Sequence, residues 1–476
     1  MGRRIKPFTA PMDIVDVTID GRGLAKHEER VIFVEDGVPG DQAEVHVFRK
    51  EKKAGVGRIT QLETPSPLRK EADCVHFAHC GGCKWQHMTY EGQLQYKEKQ
   101  VRDSLDRIAK VPYAEFSPIM GAPEPLFYRN KLEYTFSNER WRVDADEPDD
   151  KIHDNVLGFH VSRNFWKILS IEQCLLMPDL VNKVRNHVRD YARKAGLSFY
   201  DHRENTGFLR NLVFRASIST GEWMVMLIVG EDRPAQLEAL MQDLSEAFPE
   251  IPHLLWIHNP KKNSSYTDLD FQVFKGLPYI TESLGPYQFR IRATSFFQTN
   301  PAQAAHLYGV VKDFVKEALP EGKTRFSHMY DLYSGTGSIG IFVSELAEKI
   351  TAIEYVEAAI EDAKENLKLN ELNTEFSFYA GDMKALLQPE LIQKEGKPDL
   401  VIVDPPRSGM VPKVVERIIR MAPEHIVYVS CKPATQARDI DLMREHYDIL
   451  KVQPVDMFPQ TAHVENVLLL KRKKGV

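Results

Sequence analysis

Apolar and polar residues alternate from about Pro7 to Thr64, in MDIVDVTID, RVIFVE, DQAEVHVFRKEKK and AGVGRITQL, with breaks at Gly21, Gly23, Gly37 and Gly40. Short period-two runs parted by glycine turns predict a small all-β barrel. Beyond it the pattern changes. GQLQYKEKQVRDSLDRI has helical spacing, and the strand-like runs YRNKLEYTFS, NVLGFHV, FLRNLVFRAS and EWMVMLIVG are interrupted by helical PDLVNKVRNHVRDYARKAG and PAQLEALMQDLSEAF. That mixture predicts an α+β domain. From Arg325 the order becomes strand, glycine turn, helix, strand, and two later apolar runs, Leu400 to Val403 and Ile426 to Val429, stop abruptly at polar residues. Such runs read as buried parallel strands ending at a site. The expected fold class is α/β, with residues 1–65 a small β-barrel, 66–300 a central α+β domain and 301–476 a Rossmann-like domain.

Composition adds bounds. A chain of 476 residues exceeds the size at which one core keeps growing, so two or three domains are expected. No run of eighteen apolar residues exists, and MGRRIKPFTAPMD lacks the apolar centre of a secretion signal, which points to a cytoplasmic protein with no membrane association. A net charge of -6 argues against a uniformly basic nucleic-acid binder. Local clusters at Arg49–Lys53 and Lys471–Lys474 still suit phosphate contacts, although such runs are more often solvated surface.

Chemistry enters with the glycines. Gly335, Gly337 and Gly340 spell G-x-G-x-x-G after a strand, and Glu354 ends the next one, a nucleotide-binding unit whose acid grips ribose hydroxyls. The fingerprint alone does not separate a nicotinamide from S-adenosylmethionine. A later DPPR has no place in hydride transfer, and no lysine follows the glycines as phosphate binding would require. Asp382 ends a third strand, where it would face adenine or cap the following helix. Phe296, Phe297 and Gln298 precede an Asn300-Pro301 helix start and could grip a flat ring, with at least one phenylalanine expected in the core.

Five cysteines divide into two chemistries. Cys74, Cys80 and Cys83 form C-x5-C-x2-C around Gly81 and Gly82, and Cys174 is the remaining candidate for a fourth ligand. A tight triad with one distant partner favours a [4Fe-4S] cluster over the paired knuckles common in zinc sites. Nothing else reads as a redox partner, so a structural or RNA-shaping role leads. Cys431 stands apart, beyond the strand next to that of Asp404, and ligands of open parallel sheets bind beyond the carboxyl ends of strands. The pairing suggests a nucleophilic thiol beside a hydrogen-bonding carboxylate. Taken singly, a cysteine in such a place is more often buried and inert.

CVHFAHCGGC, FFQTN, DLYSGTGSIG, DPPRSG, SCKP and FPQTAHVE, in that order, resemble the RNA uridine C5 methyltransferases. The likeness is greatest to the iron-sulfur enzymes of bacterial 23S ribosomal RNA that carry a TRAM domain, an RNA-associated barrel which GLAK and VPGDQAEVHV also resemble. The resemblance implies a class I methyltransferase domain using S-adenosylmethionine. It implies Cys431 as nucleophile, Glu465 as the base acting late, and Gln298, Tyr333, Glu354 and Asp404 as contacts to cofactor or base, with Phe296 or Phe297 bordering the target uracil. RNA, foremost 23S ribosomal RNA, is the implied partner; no protein partner is.

The chemistry agrees. C5 of uracil is too weak a nucleophile to take a sulfonium methyl unaided, so a thiolate must first add to C6. The site should therefore favour the thiolate, with Lys432, Arg407 or backbone amides helping. Asp404 would accept a hydrogen bond from the uracil imide, which cytosine lacks, whereas amino-group methyltransferases typically place asparagine there. Glu465 would remove the C5 proton, with His463 as a weaker rival. Two residues depart from the family: Lys432 replaces a common asparagine, and Ser334 a common cysteine. The same chemistry on the T loop of transfer RNA, and an iron-sulfur RNA-binding or electron-transfer scaffold without activity, are the alternatives.

Overall fold

Alternation and glycine turns build the first unit in this computed structural model, which describes residues 6–143, 154–161 and 164–475. Strands β1 (Phe8–Val17), β2 (Gly23–His27), β3 (Arg30–Glu35), β4 (Gln42–Glu51) and β5 (Ala54–Thr64) close into a barrel in the order β1-β2-β3-β5-β4. Every second side chain, among them Met12, Ile14, Ile32, Val34, Val45 and Val47, fills the interior. Gly57 is dictated by closure: a Cβ there would lie 2.7 Å from a Val45 methyl. The barrel does not stand alone. Trp85 is wholly buried against Val17, Val38, Met88 and Ala462, and its Nε1 donates to the Gly21 carbonyl at 2.9 Å.

The segment after the cysteine triad forms helix α1 (Tyr90–Ser104), a π-helical turn Leu105–Ala109 and strand β6 (Tyr113–Phe116). A seven-stranded sheet follows, from β7 (Lys131–Ser137), β8 (Val156–Val161), β9 (Asn164–Ser170), β10 (Leu209–Ala216), β11 (Trp223–Val229), β12 (His253–His258) and β13 (Gln272–Lys275), ordered β13-β12-β11-β10-β7-β8-β9. Helices α2 (Leu180–Lys194) and α3 (Pro234–Ala247) share its core. Val181, Val184, Val188 and Ala192 make the buried stripe of α2 at the helical repeat, as the sequence predicts.

Hairpin β14 (Tyr279–Leu284) and β15 (Tyr287–Arg292) and helix α4 (Pro301–Glu317) lead into the last sheet. Its elements are β16 (Phe326–Leu332), α5 (Ser338–Phe342), β17 (Ala347–Glu354), α6 (Glu357–Leu369), β18 (Glu375–Ala380), α7 (Met383–Leu386), α8 (Pro389–Glu395), β19 (Leu400–Val403), α9 (Pro412–Met421), β20 (His425–Ser430), α10 (Pro433–Met443), β21 (Tyr447–Val455) and β22 (Glu465–Arg472). Strand order is β18-β17-β16-β19-β20-β22-β21-β6, parallel through β20, with β22 reversed between β20 and β21.

Two segments lie elsewhere than the boundary at residue 300 places them. Strand β6 pairs in parallel with β21 as the edge of this last sheet, and Val101, Leu105 and Ala109 pack in its core. The β14–β15 hairpin likewise shares the core with α4, β16 and β17. A short strand within a polar stretch carries no periodicity long enough to reveal its partner, which is why the sequence does not betray either excursion.

Candidate active site

The glycine turn is set by the two strands beside it. At the end of β16, Tyr333 takes φ +64°, and its amide and that of Ser334 donate to the Ile353 carbonyl on β17 at 2.9 and 3.2 Å. Glu354 ends β17 with one carboxylate oxygen on the Gly335 amide (3.0 Å) and the other on the Val356 amide (2.9 Å). Both oxygens keep lone pairs free for ribose hydroxyls. Within β16, Asp331 accepts from the Gly340 amide at 3.0 Å, while its other oxygen is buried with no partner. A Cβ on Gly340 would come within 2.8 Å of that carboxylate, so only glycine fits. Burial, with lesser repulsion from Asp404 and Glu354, raises Asp331 to about 7. Asp382 takes the cap position of α7, accepting from the amides of Lys384 (2.7 Å) and Ala385 (3.3 Å).

Asp404, Cys431 and Glu465 meet at one edge of the sheet for a topological reason. Strands β19 and β20 run parallel and end at Val403 and Ser430, and β22 runs back beside β20 with Asn466 opposite Ser430. Residues 404, 431 and 465 therefore follow or begin neighbouring strands at the same end. The DPPRSG loop is tied to α10: the Thr435 hydroxyl donates to the Arg407 carbonyl at 3.2 Å, and Asp439 accepts from the Met410 amide at 2.8 Å.

Their charges act on one another. Burial, then Glu465 and Asp404, push the Cys431 thiol up to about 11, and Arg407 only partly opposes them. The expected thiolate-favouring surroundings are thus not present: two carboxylates and poor solvation outweigh one guanidinium, and Lys432 presents an exposed side chain that is not among the charges acting on the sulfur. Burial raises Asp404 to about 7. Burial and Asp404 raise Glu465 to about 8. His463, whose Nε2 lies 3.4 Å from the Arg407 guanidinium, is lowered to about 4 by desolvation and by that cation. A neutral imidazole held so low is a poorer base than Glu465.

Of the aromatic pair, Phe297 is the core residue, tilted against Phe289 at 5.9 Å between centroids, and Phe296 is 72% exposed. Gln298 is buried with its carbonyl accepting from Asn130 Nδ2 at 3.2 Å, and its side-chain amide makes no hydrogen bond among the described residues. Asn300 caps α4 and holds the Met457 carbonyl at 3.2 Å.

Cys74, Cys80, Cys83 and Cys174 line one cavity of about 730 Å³, all as free thiols. Gln86 Nε2 donates to Cys83 Sγ at 3.3 Å and the Gly82 amide to Cys80 Sγ at 3.4 Å. Burial, the Cys74 and Cys174 sulfurs and, for Cys83, the Cys80 sulfur raise Cys80 and Cys83 to about 11 and 12. Among the described residues no three such side chains converge on a single ion position. None of Cys431, Asp404 and Glu465 lines this cavity, whereas Phe296 and Phe297 do.

Sequence reasoning missed the strap that leads to Glu465. Lys97 on α1 and Asp456 are both fully buried and 2.6 Å apart, and Lys97 also donates to the Phe458 carbonyl at 3.0 Å. Tyr90 donates to the other Asp456 oxygen at 3.0 Å, and the amides of Lys84 and Trp85 to the Gln460 carbonyl at 2.7 and 3.0 Å. Tyr308 was also missed: its hydroxyl is 3.0 Å from that of Ser338, and burial, then the charges of Asp404, Asp331 and Glu465, raise it. A lysine in a polar helix and a tyrosine in an apolar one give no signal that distinguishes them from their neighbours.

Residues 279–473 match the model of the tRNA (uracil-5-)-methyltransferase family. Along nearly its full length the chain is similar to proteins called uncharacterized RNA methyltransferases. One from Bacteroides thetaiotaomicron is 46% identical over 457 residues, 95% of this chain and 99% of the relative. Another from Porphyromonas gingivalis is 43% identical over 470 residues, 97% and 99%. Among solved structures, Pyrococcus abyssi tRNA (uracil-54, C5)-methyltransferase in complex with S-adenosyl-L-homocysteine superposes with a TM-score of 0.74 at 29% identity, covering 96% of this chain and 99% of that one.

Proposed function

Because the chain belongs to the S-adenosylmethionine-dependent RNA uracil-C5 methyltransferase family, we propose that it methylates C5 of a uridine in 23S ribosomal RNA through a bond between Cys431 and C6 of the base. The observation that carries this reading is the meeting of Cys431, Asp404 and Glu465 at one strand edge, close enough that each carboxylate raises the thiol.

Asp404 accepts from the uracil N3–H and fixes the ring. The Cys431 thiol gives its proton to solvent and its sulfur adds to C6, which drives the electron pair through C5. S-adenosylmethionine supplies the methyl group to C5 and departs as S-adenosylhomocysteine. Glu465 then takes the C5 proton, the C6–S bond breaks and the sulfur leaves with its electron pair. One proton is released overall. Tyr333, Gly335, Gly337 and Glu354 would hold the nucleoside of the cofactor, beside Asp331, which carries a buried oxygen with no partner, and Gln298, which has an unengaged amide. Asp382, with its side chain on two helix amides, is left with fewer lone pairs for adenine.

Cys74, Cys80, Cys83 and Cys174 would hold a [4Fe-4S] cluster. Zinc bound tetrahedrally at about 2.3 Å from each sulfur needs sulfurs only ~3.8 Å apart. The tight C-x5-C-x2-C triad with one distant cysteine, all four lining one cavity, supports the cubane. Anaerobically purified protein should absorb near about 400 nm. Colourless protein with one zinc per chain would contradict the cluster.

The likeness to the archaeal tRNA (uracil-54, C5)-methyltransferase favours a second reading, the T loop of transfer RNA. Transfer of tritiated methyl to 23S ribosomal RNA and transfer RNA, each purified from cells lacking the modification, separates the two. Label in 23S ribosomal RNA is expected; label in transfer RNA alone selects the second reading, and label in neither contradicts both.

A further inference from the structure

The cysteine-lined cavity also has a basic part, built from residues outside the cysteine quartet and outside the edge that holds Asp404, Cys431 and Glu465. Arg129, Lys131, Arg215, Ser295, Phe296 and Thr299 line it. Its cations are not equivalent. Arg215 is buried and spends its Nε on the Ala293 carbonyl at 3.0 Å and an Nη on the Ser295 carbonyl, which fastens the segment before Phe296 to the middle sheet. Arg129 donates its Nε to the Lys131 carbonyl at 3.2 Å. Lys131 Nζ makes no hydrogen bond or ion pair among the described residues; its nearest recorded partner is the Tyr266 ring, 5.9 Å away. The acid that would answer it, Glu133, already accepts from the Tyr266 hydroxyl at 2.9 Å and from Asn211 Nδ2 at 3.2 Å.

Lys131, Arg129 and Arg215 act on one another here with Glu133 as the one carboxylate among them, so three cations face one anion and the cluster keeps a net positive charge. A lysine is a compact point charge on a flexible stem, the side chain suited to a phosphate rather than to a planar carboxylate. The exposed Phe296 stands in the same wall, two residues before Gln298.

We propose that this part of the cavity is an RNA subsite in which Lys131 binds the phosphate of a nucleotide neighbouring the target uridine. The inference rests on the reading of the chain as a uridine methyltransferase. It places a determinant of substrate RNA affinity on β7, in a different sheet from the one that carries Asp404, Cys431 and Glu465.

Lys131→Met and Lys131→Arg test it in the full-length protein, with in vitro transcribed 23S ribosomal RNA and transfer RNA as probes. Lys131→Met should weaken binding of the methylated RNA about tenfold and make the dependence of log affinity on log salt shallower by about 0.7. Its kcat at saturating RNA and its affinity for S-adenosylhomocysteine should match the wild type, and Lys131→Arg should recover most of the RNA affinity. Unchanged affinity and unchanged salt slope in Lys131→Met would overturn the subsite, as would a loss of kcat with the slope unaltered. Should the methionine variant fail to bind S-adenosylhomocysteine, Lys131→Gln is judged on the same two readings. Failure of the parent reading is a separate result, a wild-type protein that methylates no uridine while RNA binding still reports on Lys131.

Discussion

At neutral pH the Cys431 thiol is protonated, because burial, with repulsion from Glu465 when ionised and from Asp404, pushes it up to about 11, and Glu465 is mostly protonated too, held near 8. Turnover that ends with proton removal by Glu465 should therefore rise as pH increases through about 8. The same shift acts on stability with the opposite sign. A carboxyl whose folded pKa lies above its unfolded value favours folding fully at low pH and loses that contribution as pH rises through the folded value, here about 8. Glu465→Gln, which mimics the protonated acid, should melt like the wild type at pH 4 and progressively above it from about pH 5 to 8, with the gap constant beyond, measured by thermal unfolding. In activity it should do the reverse: the methylated RNA remains bonded to Cys431, visible as a protein–RNA species stable to denaturant. At this scale the sequence was informative wherever a residue followed an apolar run, as Asp404 and Cys431 do. It misled on the sign of the thiol's shift, expected downward and found upward, because that sign depends on burial and on Glu465 arriving from a strand more than thirty residues later in the chain.

The strap between β21 and β22 is positioned by an element distant in sequence. Helix α1 supplies Lys97 and Tyr90 to Asp456, so the loop that leads to His463 and Glu465 is held from outside the parallel strands. Removing one partner of a buried pair leaves the other uncompensated, at a cost of about 3–5 kcal/mol. Lys97→Met should lose stability of that order in denaturant unfolding, and adding Asp456→Asn should recover part of it. A loss below about 1 kcal/mol would show that the pair is hydrated and does not hold the strap. Nothing in GQLQYKEKQVRDSL marks Lys97 as buried, because a lysine among lysines and glutamates reads as a solvated face. The barrel and the parallel strands were legible because alternation and apolar runs are local signals. The β6 edge was not, since pairing with β21 is a property of two segments more than three hundred residues apart.

Across the whole molecule the cysteine segment and the barrel meet the strap before Glu465 at Trp85 and Gln460, so the cysteine quartet and the Glu465 loop share one connection. Cys174→Ser should remove the visible absorbance expected of the cluster and lower the melting temperature, since it unties residue 174 from the triad. A variant with unchanged absorbance would exclude Cys174 as a ligand. The order of motifs along the chain disclosed the chemistry, but the cavity joining cysteines to Phe296 exists only after the middle sheet has folded against the 293–299 segment. The most direct test of the covalent pathway is to incubate the protein and S-adenosylmethionine with target RNA carrying 5-fluorouridine, whose fluorine cannot be removed as a proton, and to locate the nucleotide by mass spectrometry. The account predicts a denaturant-stable adduct on the peptide containing Cys431, absent in Cys431→Ala. Methyl transfer by Cys431→Ala, or an adduct on any other residue, would contradict it.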